Sequence, residues 1–252
     1  MPVKPVLLAL FAGIVIGPFL GVLVDRLHDR VAVAFEHRCT SCSYGLSQKS
    51  LVPVWHWWQN CPSCQQHKGV RYIAVDVSTI CVFGLLATRF GFQGRLVPYL
   101  GLGAVLVVLS IVDFETHLLP NVVVWPSIWL SLGVILLSSR VLDGGGDALS
   151  ALTGAAVFGG FIGLSHLIYQ RGMGRGDVKL ALLLGLFIGW LQPGLLIATR
   201  LVLYTILGSL VGGAALGSLY NVIRRRGRAE IPFGPALAGA SLVMILLSSV
   251  FV

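Results

Sequence analysis

The sequence predicts an all-α, polytopic membrane protein: a bundle of about eight transmembrane helices with one small polar insert. The first observation is composition, since 56% of the 252 residues are hydrophobic and only 11% are charged. A soluble chain carries about 25% charged residues. The second observation is that the apolar residues form runs close to the roughly 20 residues that a helix needs to cross the hydrocarbon core.

Eight apolar runs give the predicted spans. They cover residues 5–24, 70–88, 96–112, 121–138, 148–169, 178–192, 194–220 and 232–252. The sixth run is short, and Gln192-Pro193-Gly194 is a turn signal that separates it from the seventh. The first run resembles a signal peptide, but it is long enough to span a membrane and no small-residue cleavage site follows it. We therefore expect it to remain as the first helix.

Residues 25–69 form a polar, cysteine-bearing insert between the first helix, residues 1–24, and a membrane core, residues 70–252. If the insert is cytoplasmic, three loops lie on the same side of the membrane: 113–120, 170–177 and 221–231. Most of the 18 Lys and Arg residues lie on or beside this side, as the positive-inside rule requires of a cytoplasmic face. The net charge of +8 is thus interpreted as a topology signal, and we expect no nucleic-acid partner.

Four cysteines in the insert predict a structural zinc site. Cys39-x-x-Cys42 is followed after 18 residues by Cys61-x-x-Cys64, and two such turns present four thiolates to one tetrahedral ion. A cytoplasmic insert keeps its thiols reduced, whereas a disulfide pairing is the alternative if the insert faces outward. An insert of this size needs the metal in order to fold. Three flanking histidines are weaker candidate ligands: His37, His56 and His67.

Two aspartates at the ends of apolar runs are the candidate catalytic pair. Asp113 ends the third run and Asp177 begins the sixth, and the predicted topology places both at the cytoplasmic face. Ionisable groups at membrane depth are costly and therefore indicate function. Two neighbouring carboxyl groups share a proton, so that one activates a water molecule and the other protonates the substrate. The alternative is that both residues only terminate helices, since Asp is a good N-cap.

Further residues beside Asp177 are expected to support the active-site loop. Gly172, Gly174 and Gly176 precede it in alternation, and glycine allows close backbone approach or positive φ. Lys179 follows it and has two open roles: its charge favours the ionised form of Asp177, or its side chain only extends to the membrane interface. We expect Gly174, Gly176 and Lys179 to form the supporting set.

Together these features resemble the type IV prepilin peptidases, the leader peptidases of type IV pili and type II secretion. The run from Gly174 to Leu180, Gly-Arg-Gly-Asp-Val-Lys-Leu, is similar to that family's GxGD motif. Asp113 to Pro120 is similar to its first catalytic segment, and Ile231 to Ala236 is similar to the IPFGP segment that opens its last helix. The four-cysteine insert, followed by Arg71-Tyr72, matches the order of the family's cytoplasmic zinc domain.

The resemblance implies an intramembrane aspartyl endopeptidase with Asp113 and Asp177 as the catalytic residues. Such enzymes cut a short basic leader from prepilins or pseudopilins after a Gly, at the cytoplasmic face of the bacterial inner membrane. The substrate helix stays in the lipid bilayer. Many members also methylate the new N-terminus, so the implied cofactors are structural zinc and S-adenosylmethionine. The S-adenosylmethionine-binding residues and the oligomeric state are left unassigned.

The chain departs from the family pattern at positions outside the aspartate pair. Where the family favours Ser, Asn, Gly, Glu and Asp, this chain has respectively Pro18, Gly21, Gln59, Asp76 and Asn121. Several of these lie in or beside the insert and the first helix, so N-methylation is left open.

Two other functions compete with the peptidase. One is a zinc-bearing membrane assembly protein without catalysis, which loss of either aspartate would have favoured. The other is a proton-coupled transporter that uses Asp113 and Asp177 as a relay. Transporters often contain internal repeats with matched broken helices, and this sequence has no such repeat.

Overall fold

The structure, a computed structural model, describes residues 3–28, 63–64, 69–141, 146–168, 174–224 and 233–248. Within these ranges it contains eight α-helices and no strand, so the prediction of an all-α chain is confirmed for the described residues. The helices are α1 Val3–His28, α2 Gly69–Phe90, α3 Leu96–Thr116, α4 Asn121–Val141, α5 Ala148–Ile168, α6 Arg175–Gly189, α7 Leu195–Arg224 and α8 Gly234–Leu247.

Six of these helices are long and apolar enough to cross a membrane: α1 to α5 and α7. The other two are shorter, with 15 residues in α6 and 14 in α8. At 1.5 Å per residue a helix of that length covers only about 22 Å, which is less than the hydrocarbon core of about 30 Å. The chain is therefore a multi-pass membrane protein, but the sixth and eighth predicted spans do not meet the length criterion in the described residues.

The chain divides into two compact units, Met1–Val112 and Asp113–Val252. In the first unit, α1 packs on α2 through glycines spaced four residues apart. A Cβ atom at Gly17 would lie 2.5 Å from a carboxylate oxygen of Asp76, and one at Gly21 would lie 2.6 Å from the ring of Tyr72. Small residues at this spacing let membrane helices approach closely. Gly21 stands where the family favours Asn, and this close packing explains it, because a larger side chain would clash with Tyr72.

A buried ion pair also joins α1 to α2 within the first unit. The side chain of Asp25 accepts hydrogen bonds from the Arg71 guanidinium at 2.7 Å and from the Tyr72 hydroxyl. Because Asp25 is only 6% exposed, its charge requires such partners. The pair fixes the end of α1 against the beginning of α2. The predicted division into 1–24, 25–69 and 70–252 stays a prediction, because most of the insert lies outside the described residues.

In the second unit, α6 is the central helix and contacts α4, α5, α7 and α8. Its closest neighbour is α5, where the two backbones touch without intervening side chains. A Cβ atom at Gly185 would lie 2.5 Å from the Gly154 carbonyl oxygen, and one at Gly154 would lie 2.3 Å from the Gly185 carbonyl oxygen. This contact holds α6, and with it Asp177, in one position relative to α5.

The α5–α6 contact predicts opposite effects of two Gly→Ala changes. Gly185→Ala is expected to lower the free energy of unfolding by about 1 to 3 kcal/mol, because the added methyl group meets backbone. Gly160→Ala, on α5, is expected to raise it by up to about 1 kcal/mol, because helix propensity improves and the methyl group has no neighbour within 4 Å. Thermal unfolding of both variants in one detergent measures the difference. Equal effects would contradict the close packing.

Candidate active site

Asp113 lies in the last turn of α3 and is the first residue of the second unit. Its side chain is buried, with 5% exposed. Oδ2 accepts a hydrogen bond of 3.0 Å from the backbone N–H of Gly234, the first residue of α8. Helix N-termini bind carboxylates well, because their first N–H groups lack partners within the helix and lie at the positive end of the dipole. Asp113 therefore joins the end of α3 to the beginning of α8.

Gly234 is a site residue that the sequence analysis did not single out. A Cβ atom at this position would lie 2.6 Å from Oδ2 of Asp113, so a side chain cannot be added without moving the carboxylate. The sequence of Ile231 to Ala236 resembles a family segment but does not by itself predict a contact with Asp113. Its proximity to Asp113 depends on a contact between residues 121 positions apart, and this contact is visible only in the folded chain.

Asp177 lies in the first turn of α6 and is also buried, with 7% exposed. Oδ2 accepts a hydrogen bond of 3.1 Å from the backbone N–H of Gly174, the residue that caps the helix. The Asp177 N–H donates in return to the Gly174 carbonyl at 3.2 Å. A carboxylate that reaches back to the cap N–H forms half of a capping box. The helix-end role weighed in the sequence analysis is thus present at Asp177, and it also fixes the carboxylate in place.

Asp113 and Asp177 are both buried within the second unit, and the charge of Asp113 contributes to the electrostatics of Asp177. Asp177 lies outside the six candidate spans. Burial, and to a lesser extent the charge of Asp113, raise the pKa of Asp177 to about 6, although the Gly174 N–H and His166 act to lower it. His166, on α5, is a second residue that the sequence analysis missed. A carboxyl group with such a pKa carries a proton for part of the time near neutral pH.

Each carboxyl group is held through one of its two oxygens. Oδ2 of Asp113 and Oδ2 of Asp177 each accept one glycine N–H, and no bond from a described residue to Oδ1 is found in either case. Two oriented carboxyl groups that interact electrostatically, each with an oxygen that no described residue binds, are suited to hold a water molecule and one proton between them.

The supporting residues pack around the start of α6. A Cβ atom at Gly176 would lie 2.7 Å from the side chain of Leu119, so here glycine serves close approach. Gly174 has φ −74° and only ordinary contacts, so it does not use positive φ. Gly172 lies outside the described residues. His117, directly after α3, has φ +53°, an unusual conformation for a residue with a side chain. It turns the chain so that Leu119 reaches Gly176.

Lys179 contacts α4 and not the aspartates. Its Nζ donates a hydrogen bond of 2.6 Å to Oδ1 of Asn121 and lies 5.5 Å from the centre of the Trp125 ring. The charges that act on Asp177 are those of Asp113 and His166. The open role in which Lys179 favours the ionised form of Asp177 therefore finds no support.

The raised pKa of Asp177 predicts how stability depends on pH. The folded state binds this proton more tightly than the unfolded state, so ionising Asp177 destabilises the fold above about pH 6. That destabilisation disappears as the pH falls below the ordinary value of 3.8. Asp177→Asn should therefore raise the free energy of unfolding by about 1 to 3 kcal/mol at pH 8 and by little at pH 4. Thermal unfolding at both pH values tests this, and a lower stability of the variant at pH 8 would contradict it.

The predicted zinc ligands Cys39, Cys42 and Cys61 lie outside the described residues. Cys64 is described and is exposed. Among the residues that the structure describes, no group of three or more His, Cys, Asp or Glu side chains is arranged to hold a metal ion. The four-thiolate site stays a prediction.

Comparisons with known proteins agree on one family over nearly the whole chain. Residues 100–252 match the type IV leader peptidase family, and residues 11–90 match the bacterial peptidase A24 N-terminal domain. No solved structure gives a significant match.

Three relatives illustrate the similarity, and each is named prepilin leader peptidase/N-methyltransferase. The protein of Stutzerimonas stutzeri is 31% identical over 278 residues, which cover 97% of this chain and 91% of the relative. The protein of Pseudomonas aeruginosa is 30% identical over 280 residues, with the same coverage. The protein of Bacillus subtilis is 25% identical over 240 residues, which cover 93% of this chain and 91% of the relative. The chain therefore belongs to the type IV leader peptidase family.

Proposed function

We propose that this protein is an aspartyl endopeptidase that removes the leader of type IV prepilins or pseudopilins, with Asp113 and Asp177 as its catalytic residues. The family and the names of the relatives support a peptidase that acts on prepilins. The observation that carries the aspartyl chemistry is the pair of buried carboxyl groups, each held through one oxygen by a glycine N–H. Gly174, Gly176 and Lys179 support the pair.

The chemistry follows from two carboxyl groups that share one proton. The ionised carboxylate removes a proton from water while the water oxygen bonds to the scissile carbonyl carbon. The protonated carboxyl group donates its proton to the carbonyl oxygen. Transfer of a proton to the leaving nitrogen then breaks the C–N bond and yields an amine and a carboxylic acid. Since the two groups titrate as a unit, neither is assigned as the acid or the base.

The proposed location is the inner membrane of a bacterium, with the active site and the insert facing the cytoplasm. The distribution of Lys and Arg supports this orientation. The six candidate spans support a lipid bilayer as the surroundings of the helices. A cytoplasmic active site has access to a basic leader before it is removed from the substrate.

N-methylation of the new N-terminus is the second proposed activity, because the relatives are named for it. S-adenosylmethionine would supply the methyl group.

We also propose that the insert binds structural zinc through Cys39, Cys42, Cys61 and Cys64, because four thiolates at this spacing suit a tetrahedral ion. Elemental analysis of the purified protein should find about one zinc ion per chain. Cys61→Ser should remove the metal and lower the thermal stability, whereas Cys81→Ser, in α2 and outside the motif, should change neither. Unchanged zinc content in Cys61→Ser would contradict the assignment.

The activity is tested by incubating the purified protein with a prepilin and S-adenosylmethionine and weighing the products. Loss of the leader mass, with the cut after a Gly, supports the peptidase. A further methyl mass on the mature product supports the second activity. A folded, zinc-loaded protein that leaves prepilin uncut would instead favour a non-catalytic assembly protein, and proton flux in proteoliposomes would favour a transporter.

A further inference from the structure

The side chains of Lys179, Asn121 and Trp125 form a cluster between α4 and α6 that takes no part in the proposed proton transfers. Lys179 donates to Asn121 at 2.6 Å and lies over the face of Trp125, 5.5 Å from the ring centre. Asn121 and Trp125 are one turn apart on α4, so they present neighbouring side chains on one face. Trp125 in turn stacks on Trp129, with ring centres 6.4 Å apart. The ammonium group thus has a hydrogen-bond acceptor and an aromatic face as partners.

The position of this cluster in the chain connects it to both aspartates. Asn121 is the first residue of α4 and follows Asp113 by eight residues along the chain. Lys179 follows Asp177 by two residues on α6. The first five residues of α6 therefore contact the segment after Asp113 twice: Gly176 meets Leu119, and Lys179 meets Asn121. Asp177 lies between these two contacts.

The Lys179–Asn121 hydrogen bond positions α6 and does not act on the aspartates through charge. Residues two apart on a helix lie on different faces, and the charges that act on Asp177 are those of Asp113 and His166. A hydrogen bond from an ammonium group is stronger than one between neutral groups, which suits a contact that fixes a helix end.

We propose that Lys179 is a positioning residue: by binding Asn121 and Trp125 it holds the start of α6 against α4 and so sets the separation of Asp177 from Asp113. The inference rests on the proposed function of the aspartate pair. Small displacements of reacting groups have large effects on rate, since a shift of about 1 Å is worth about 100-fold.

Steady-state kinetics of prepilin cleavage separate this role from substrate binding. Lys179→Met should lower kcat by about 10- to 100-fold and leave KM nearly unchanged. Lys179→Arg should retain most of the activity, because Arg also donates to an amide oxygen and stacks on Trp. Arg200→Met, which removes an exposed cation from α7, is the matched control and should behave like the parent. A raised KM with unchanged kcat in Lys179→Met would show that Lys179 binds substrate and would overturn the proposal.

A double-mutant cycle tests the contact itself. Asn121→Ala should lower kcat as Lys179→Met does, and the double variant should be no worse than either single variant, because they remove the same contact. Asn121→Asp should retain activity, since a carboxylate also accepts from Lys179. Additive losses would overturn the proposal, as would a fully active Lys179→Met. If Lys179→Met does not fold, Asn121→Ala and Asn121→Asp carry the kinetic test.

The same cycle measured by thermal unfolding needs no substrate. Coupling between Lys179 and Asn121 in stability, together with an inactive parent, would mean that the cluster exists and the proposed function is wrong. An active parent without coupling would mean that the function stands and the positioning role is wrong.

Discussion

Asp113→Asn and Asp177→Asn are each expected to fold and to lose leader cleavage by about 10²- to 10⁴-fold, the usual contribution of a general acid or base. Asn has nearly the same shape as Asp, and its amide oxygen can still accept the N–H of Gly234 or Gly174 that Oδ2 accepts now. What is lost is the ability to ionise or to hand over a proton. Cleavage rates from mass spectrometry, with thermal unfolding as a check on the fold, measure the effect.

The matched control is Asp147→Asn, which makes the same chemical change in the same unit. Asp147 is exposed and accepts the Ser150 N–H at 3.3 Å, at the start of α5. Asn caps a helix as well as Asp does, so this variant should cleave like the parent. Full activity in both Asp113→Asn and Asp177→Asn would remove the aspartate pair from the mechanism. Loss in only one of them would leave a single carboxyl group as the catalyst.

For Asp177→Asn we expect two results together, a gain in stability and a loss of activity. The variant should be more stable than the parent at pH 8, because it no longer keeps a buried charge that the fold disfavours, and yet it should be inactive. Residues at active sites often lower the stability of the fold while they provide activity. A variant that is both unstable and inactive would point to a purely structural role in capping α6.

Gly234→Ala is expected to lower leader cleavage by about 10- to 100-fold, the same range as Lys179→Met. The added methyl carbon would lie 2.6 Å from Oδ2 of Asp113, so the carboxylate or the start of α8 must move. Either movement breaks the 3.0 Å hydrogen bond that orients Asp113. The same assay of leader cleavage measures the loss.

Gly239→Ala is the control for this change, because it lies on the same helix and a Cβ atom there has no neighbour within 4 Å. It should retain activity and gain slightly in thermal stability from better helix propensity. If Gly234→Ala cleaves as fast as Gly239→Ala, the N–H of Gly234 does not orient the catalytic carboxylate.

Hydropathy alone predicted the membrane class and the eight helices, because an apolar run of sufficient length is a local property of the chain. Within the described residues six of the eight helices meet the length criterion for a span, since α6 runs only from Arg175 to Gly189 and α8 only from Gly234 to Leu247. A helix ends where its backbone stops making helical hydrogen bonds. The sequence marks this boundary poorly when the residues before and after it are both apolar. The family resemblance, carried by short motifs, is confirmed by the comparisons.

The sequence by itself determined that this is a helical membrane protein of the leader peptidase family and singled out Asp113 and Asp177, because lipid makes charged residues rare and therefore conspicuous. Only the tertiary structure decided how these groups are held. The hydrogen bonds from Gly234 to Asp113 and from Lys179 to Asn121 join residues 121 and 58 positions apart. Such contacts depend on how helices pack, and neither composition nor local periodicity specifies which distant backbone N–H or side chain will meet.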